Sequence, residues 1–395
     1  MIEQINLIFL GGFEYPFGMA GTKRIQHIIN GLKLYSGISV RVIIIRQSSQ
    51  QNVLSGTYQG IPYETLIGDL FRTKMLLMFP LLRSKARRIL NRMFQSGHKN
   101  IIYIYGPPSF ENLPTIQYAR RLGFKTVFDI VEDDDHARDI SSSIWHRLSN
   151  GYRCRATRRI ASLADGIVVI SSHLENKFRR LTSGTVPIHY LSISVDMGLY
   201  PDAPQRFGDP ICLFYAGSFG KKDGISGLLD GFDILASKYT NVRLVMTGRG
   251  TESVMRRLYQ RIGDSPHKHR IIYKGYLNDA DYYAALREAD ILCMPRVDIR
   301  YAQAGFPFKL GEYLATGKPV IASAVSDIQT LLKDRHDVML VMPGSGAAIA
   351  GAAEDLIQDE VNAFAIGSRG RIAARRYFDY RSQSKGLFEF LCGLA

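Results

Sequence analysis

Residues 304–323 read AGFPFKLGEYLATGKPVIAS, and the parsing of the whole chain starts from this stretch. Pro307 carries the fixed φ of a first helical turn, Leu310, Tyr313 and Leu314 supply one apolar face, and Gly317 suits a left-handed C-terminal cap. Pro319 then stops the helix, and Val320–Ile321 open a buried strand. The unit is loop, helix, strand, one module of a parallel α/β sheet. Its polar content is unusual. Lys309 lies in a first turn, where the helix dipole disfavours a cation. Glu312 comes three residues later on the same face, about 4.5 Å further along the axis. A helix N-terminus behind Gly305 presents backbone N–H groups that suit a phosphate, and an anion there would turn the Lys309 penalty into attraction. A carboxylate one turn on can accept paired hydrogen bonds from the two hydroxyls of a ribose. The competing reading is an exposed i,i+3 ion pair worth about 0.2–0.5 kcal/mol. From this segment alone the two stand level.

Outward from it, the same alternation runs through the chain. In the first half the strand candidates are 5–10, 39–45, 101–105, 125–131, 166–170 and 187–193; in the second half they are 211–216, 242–247, 270–275, 290–295, 319–323 and 337–342. Helical patterns separate them, which indicates two doubly wound Rossmann-like sheets. MGLYPDAPQRFGDP (197–210) has three prolines and no periodicity, so the expected domains are 1–197 and 211–375, joined by a linker at 198–210. A length of 395 residues, above the size at which one core keeps growing, agrees with two domains. Ligands of such sheets bind outside the carboxyl ends of the strands, and two of them would share a central cleft.

No apolar run approaches the roughly 20 residues of a membrane span. The start MIEQINLIFLGG reads as a strand and glycine turn, not a leader. Four scattered cysteines without a CxxC pair argue against a zinc site and point to a reducing compartment, so the expected location is the cytoplasm. The net charge of +14 points to nucleic acid, an anionic membrane or a phosphorylated substrate.

The segment resembles the donor-binding signature of GT-B glycosyltransferases, family 4-like (glycosyl transferases group 1), the large retaining class that includes phosphatidylinositol mannosyltransferases and sucrose synthases. That signature has two glutamates spaced E-x7-E and then A-x-G-x-P-V; Glu312 matches the second glutamate and ATGKPVIA matches the A-x-G-x-P-V run. TVPIHYLSISVDMGLY, LFYAGSFGKKDGISGLLDGF, LVMTGRG, YKGYLNDADYYAALREADILCMP and IAARRYFDY resemble successive family segments, the last a helix (376–395) returning to the first domain. The resemblance implies a metal-independent transferase that uses no cofactor. It would move sugar from a UDP- or GDP-linked nucleotide sugar to a lipid-linked (polyprenyl) or polysaccharide acceptor, in bacterial cell-surface glycan synthesis. Glu312 would hold the ribose. Gly305, Phe306 and Pro307 would touch donor sugar and diphosphate, and Lys221 or Lys222 would neutralise the leaving group. Ser218, Arg249 and Tyr276 join the donor-binding set, and Gly21 falls where a family glycine approaches the donor phosphate. Two departures stand out: Ala304 replaces the first glutamate, and Ser218 replaces an arginine common after the loop glycine. Lys309 is expected to take over charge stabilisation.

FDIVEDDDHARDI (128–140) gathers acids at a strand's carboxyl end, where the family carries a polar residue near the acceptor; Glu132, Asp133 and His136 are the candidates. Asp133–Asp135 also spells DxD, a metal mark of the other glycosyltransferase fold, which the tandem plan opposes. Ser172 with Glu175 reads as a capping box. Leu82, Ala86, Ile89, Leu90 and Met93 form one face of a helix over 81–94 whose other faces are crowded with Arg83, Lys85, Arg87, Arg88 and Arg92. It reads as binding an anionic membrane, peripherally on the inner face, or as a helix covering the sheet. Nucleic acid is disfavoured because no recognition motif or aromatic-interleaved groove is present. An epimerase of the same fold and a lapsed, non-catalytic scaffold remain as alternatives.

Overall fold

The computed structural model describes residues 4–47, 52–68, 79–133, 135, 144–201 and 206–394. Contacts divide the chain into two units, Met1–Ser194 with Gln383–Ala395, and Val195–Ser382.

The first unit holds β1 (Ile5–Gly11), β2 (Ile38–Gln47), β3 (Ser55–Tyr58), β4 (Ile61–Gly68), β5 (Lys99–Tyr105), β6 (Lys125–Ile130), β7 (Gly166–Val169) and β8 (Ile188–Tyr190). They lie in the order β3-β4-β2-β1-β5-β6-β7-β8. Central strands such as INLIFLG are buried along their whole length, as a sheet covered on both faces requires. The β3–β4 pair is the antiparallel exception, absent from the strands read from sequence. Its turn is Gln59–Gly60 with φ of 48° and 80°, a two-residue hairpin turn. Gln-Gly is a weak signal for that turn, and Pro62 argues against a strand, which explains the omission.

The second unit holds β9 (Ile211–Gly217), β10 (Val242–Gly248), β11 (Ile271–Tyr273), β12 (Ile291–Met294), β13 (Val320–Ser323) and β14 (Met339–Val341). Their order is β11-β10-β9-β12-β13-β14, a doubly wound sheet with its switch point between β9 and β12. Helices Ile225–Lys238 and Gly346–Gln358 pack closely together. A Cβ on Gly231 would lie 2.7 Å from the Gly346 carbonyl oxygen, so only glycine allows that approach.

Residues 195–201, expected as the end of the first domain (to 197) and the start of the linker (from 198), are packed into the second unit. Tyr200 is buried, and Arg371 donates to its carbonyl at 2.7 Å. Gln383–Ala395 groups with the first unit, where Tyr35 stacks on Phe388 at 4.4 Å and Lys99 Nζ donates to the Leu394 carbonyl at 2.9 Å.

A buried ion pair braces the carboxyl side of the first sheet. Arg24 Nε donates to Asp129 Oδ2 at 2.8 Å and its Nη2 to Oδ1 at 2.9 Å; Nη1 donates to the Ser192 carbonyl at 2.6 Å. Arg24 is therefore a structural brace. The basic helix spans Phe79–Met93, and Leu82, Ala86, Ile89, Leu90 and Met93 are all buried. Its apolar face covers the sheet and Lys85 Nζ donates to the Thr65 carbonyl at 2.8 Å, so what it presents outward is mostly charge, with Leu81 exposed beside it. Among the described residues no helix is long and apolar enough to cross a membrane.

Candidate functional site

Two loops leave the switch point of the second sheet. The loop after β9 carries Ser218, Lys221 and Lys222; the loop after β12 leads to Gly305, Phe306 and Pro307. They touch. Val297 N–H donates to the Lys222 carbonyl at 3.3 Å, Lys222 Nζ lies 4.9 Å from the Tyr301 ring centre, and a Cβ on Gly224 would meet the Arg296 nitrogen at 3.1 Å. Gly224 has φ of 60°, which only glycine adopts cheaply. Asp223 ties the first loop internally, accepting from Ser218 Oγ at 2.6 Å and from Gly220 N–H at 2.8 Å. Ser218, where an arginine was expected, is thus a loop fastener, and Lys221 is exposed. Arg296 is half-buried beside Asp223, and burial lowers its guanidinium from the ordinary value.

The helix of the opening stretch spans Phe308–Ala315. Pro307, with φ of −72°, is its N-cap and lies one residue outside the first turn expected for it. Gly305 sits at φ −99°, ψ 166°, an ordinary extended conformation, and Phe306 is buried against Phe378 at 5.5 Å. Gly317 has φ of 76°, the left-handed cap read from the sequence. Ala304 is fully buried, so the position of the absent first glutamate is a core methyl.

Glu312 and Lys309 do not form an ordinary exposed pair. Glu312 is 3% exposed, while the Lys309 side chain is 35% exposed with Nζ 3.6 Å from Glu312 Oε2. Tyr282, on helix Asp279–Glu288, donates its hydroxyl to Glu312 Oε2 at 2.9 Å, and Lys309 Nζ stands 4.5 Å from the centre of the same ring. Burial, then the Glu312 charge, push the phenols of Tyr282 and Tyr200 well above their ordinary range, so both stay protonated donors. Next along the helix, Tyr313 accepts from Ala216 N–H at 2.8 Å and fixes the helix to the end of β9. A carboxylate this dry, beside a half-exposed ammonium and over protonated phenols, is equipped to accept hydrogen bonds from a neutral diol near an anion.

The remaining candidates are scattered. Arg249 lies over the Tyr276 ring at 4.7 Å, and both are exposed, Tyr276 at 58%. Gly21, Glu132 and Asp133 belong to the first unit. Gly21 is a packing glycine: a Cβ there would lie 2.9 Å from the Tyr105 hydroxyl. Asp133 is 2% exposed and held by Lys177 and by His173 Nε2 at 3.3 Å; Lys177 also donates to Asp135 Oδ2 at 2.7 Å. Those contacts outweigh burial and hold the Asp133 carboxyl below its ordinary value. Glu132 is exposed, and His136 lies outside the described residues. Ser171, not Ser172, is the N-cap of helix Ser172–Leu181, with Oγ accepting from Leu174 N–H at 3.3 Å. Tyr282, Tyr200 and Tyr301 escape a reading of the sequence, because nothing in local spacing marks a tyrosine that meets a partner far along the chain.

Residues 210–359 match the family model described as Glycosyl transferases group 1. A phosphatidyl-myo-inositol mannosyltransferase of Mycobacterium leprae is 32% identical over 187 residues, 46% of this chain and 48% of that protein. The chain thus matches about half the length of that curated relative. Among solved structures, sucrose-phosphate synthase from Thermosynechococcus elongatus superposes with a TM-score of 0.75 at 16% identity, covering 99% of this chain and all (100%) of its own. Anabaena HepE, solved in complex with UDP and glucose, does so at 0.74 and 16%, covering 98% and 100%. These structures share the fold, which is the GT-B plan that the sequence resemblance implied.

Proposed function

We propose, on the premise that residues 210–359 belong to the glycosyl transferases group 1 family, that the chain transfers a sugar from a nucleoside diphosphate to an acceptor hydroxyl. The observation that carries the reading is Glu312: a nearly dry carboxylate paired with a half-exposed lysine at the head of a helix beside the switch point. In this reading Glu312 accepts both ribose hydroxyls. The N-terminus of helix Phe308–Ala315 and Lys309 meet the diphosphate, and Lys222 with Lys221 add charge as it departs. Preorganised positive charge at the leaving group is usually the largest single source of rate in reactions of this kind. HepE, with UDP and glucose bound, is a precedent for such a ligand on this fold.

The finer proposals rest on the family resemblance. Transfer retains anomeric configuration and needs no metal, and the donor's phosphate oxygen receives the acceptor proton. Arg249, Tyr276, Gly305, Phe306 and Pro307 line the donor. Glu132 faces the acceptor, and Asp133, engaged by Lys177, keeps that strand end in place. The acceptor is a lipid-linked or polysaccharide glycan, and the arginines of helix Phe79–Met93 draw the protein to an anionic membrane surface. Thermal-shift measurements against UDP- and GDP-sugars test the core of this. A true donor at a hundred times its Kd stabilises the folded state by about 2.7 kcal/mol, and turnover should survive a chelator. No shift with any nucleotide sugar would remove the proposal.

A further inference from the structure

A glutamate has three side-chain torsions, and burying it does not by itself say where its oxygens point. In this chain one side chain meets both members of the acid–base pair. The Tyr282 hydroxyl donates to Glu312 Oε2 at 2.9 Å, and the face of its ring carries Lys309 Nζ at 4.5 Å. Neither contact is needed to fill space. Tyr282 already packs near Phe214 and Tyr283, at 6.5 and 5.6 Å between ring centres, and a phenylalanine would do that equally well. A buried hydroxyl is costly unless hydrogen-bonded, and this one meets the carboxylate that the donor reading depends on.

The distances divide the work. A close charge-assisted lysine–carboxylate contact is about 2.7–2.9 Å, whereas Lys309 stops at 3.6 Å from Glu312. The ring competes for the ammonium. The cation is therefore held between aromatic face and acid instead of collapsing onto the acid, and its side chain remains 35% exposed. The carboxylate, in turn, is oriented before any ligand arrives, so the ordering cost falls on folding and not on binding.

We infer that Tyr282 is the positioning residue of the nucleotide site, its hydroxyl setting the Glu312 carboxylate for ribose hydroxyls and its ring seating Lys309 for the diphosphate. The inference rests on the proposed donor reading. It gives the two halves of one side chain separate readouts, which a merely structural tyrosine lacks.

The test is calorimetry on the full chain with UDP and GDP, each beside its 2′,3′-dideoxy analogue and its monophosphate. The ratio of diphosphate to dideoxy affinity reads the ribose hydroxyls; the ratio of diphosphate to monophosphate reads the charge. In Tyr282→Phe the first ratio should fall about tenfold, the scale of one hydrogen bond to a charged group, and the second should stay put. Tyr282→Leu should lower both. A Tyr282→Phe protein that keeps the first ratio, while Glu312→Ala loses it, overturns the inference alone. A uniform loss of affinity in Tyr282→Phe with both ratios intact makes the residue structural and also overturns it. Wild-type protein that binds neither nucleotide, or binds dideoxy and parent equally, overturns the donor reading and the inference together.

Discussion

Each unit carries a buried acid–base pair, and the two are built differently. Arg24 and Asp129 are 3% and 0% exposed, joined by two hydrogen bonds, with further guanidinium donors on the backbone carbonyls of Leu191 and Ser192. The acid of Lys309–Glu312 is as dry, but its base is 35% exposed and stands 3.6 Å away, over an aromatic ring. A saturated pair in a dry core holds strands together and has nothing left to offer a ligand. A loosely closed pair with one member in water can still bind. That contrast, more than charge or burial alone, separates a brace from a site.

The comparison breaks most readily at the brace. Asp129→Ala should cost about 3–5 kcal/mol, because it strands a buried guanidinium. Denaturant unfolding would measure it, and a loss under about 1 kcal/mol, the scale of an exposed ion pair, would mean the pair is not structural. Next comes the site. Glu312→Gln should lower turnover by about a hundred- to a thousandfold, the scale of a lost electrostatic contact in a preorganised site. Its melting temperature should move far less than that of Asp129→Ala. Equal losses of stability in both variants would erase the distinction.

The smallest effect sharpens it through pH. Asp133 is held below its usual range in the folded state, so its contribution is fully present above the unfolded carboxylate value near 4 and is lost as pH falls through the lower folded value. Asp133→Asn should therefore unfold more easily at neutral pH and show a shallower acid limb. Parallel stability curves for the two proteins across the acid range would contradict the pairing with Lys177.

The sequence made the repeating frame legible, and physical reasons explain where it stopped. Buried strands such as Ile5–Gly11 and Ile211–Gly217 are nearly continuous apolar runs that end in glycine, which makes strands of this kind readable from the sequence. The β3–β4 hairpin was hidden by Gln59–Gly60 and Pro62, a turn and a strand made from weak formers. At the site, Lys309 and Glu312 were visible because helical spacing brings them together. Tyr282 was not: it reaches Glu312 through tertiary packing, from 30 residues away. The same blindness hid Arg24–Asp129, 105 residues apart, and the bond from the Ser218 hydroxyl to Asp223.

A crystal structure of the chain with a bound nucleoside diphosphate bears on all of this at once. Both ribose hydroxyls should lie within hydrogen-bond distance of residue 312, with phosphate oxygens at the head of the 308–315 helix and against the ammonium of residue 309. A nucleotide found elsewhere, or an acid at 312 still closed off by its tyrosines with no sugar against it, would contradict the account.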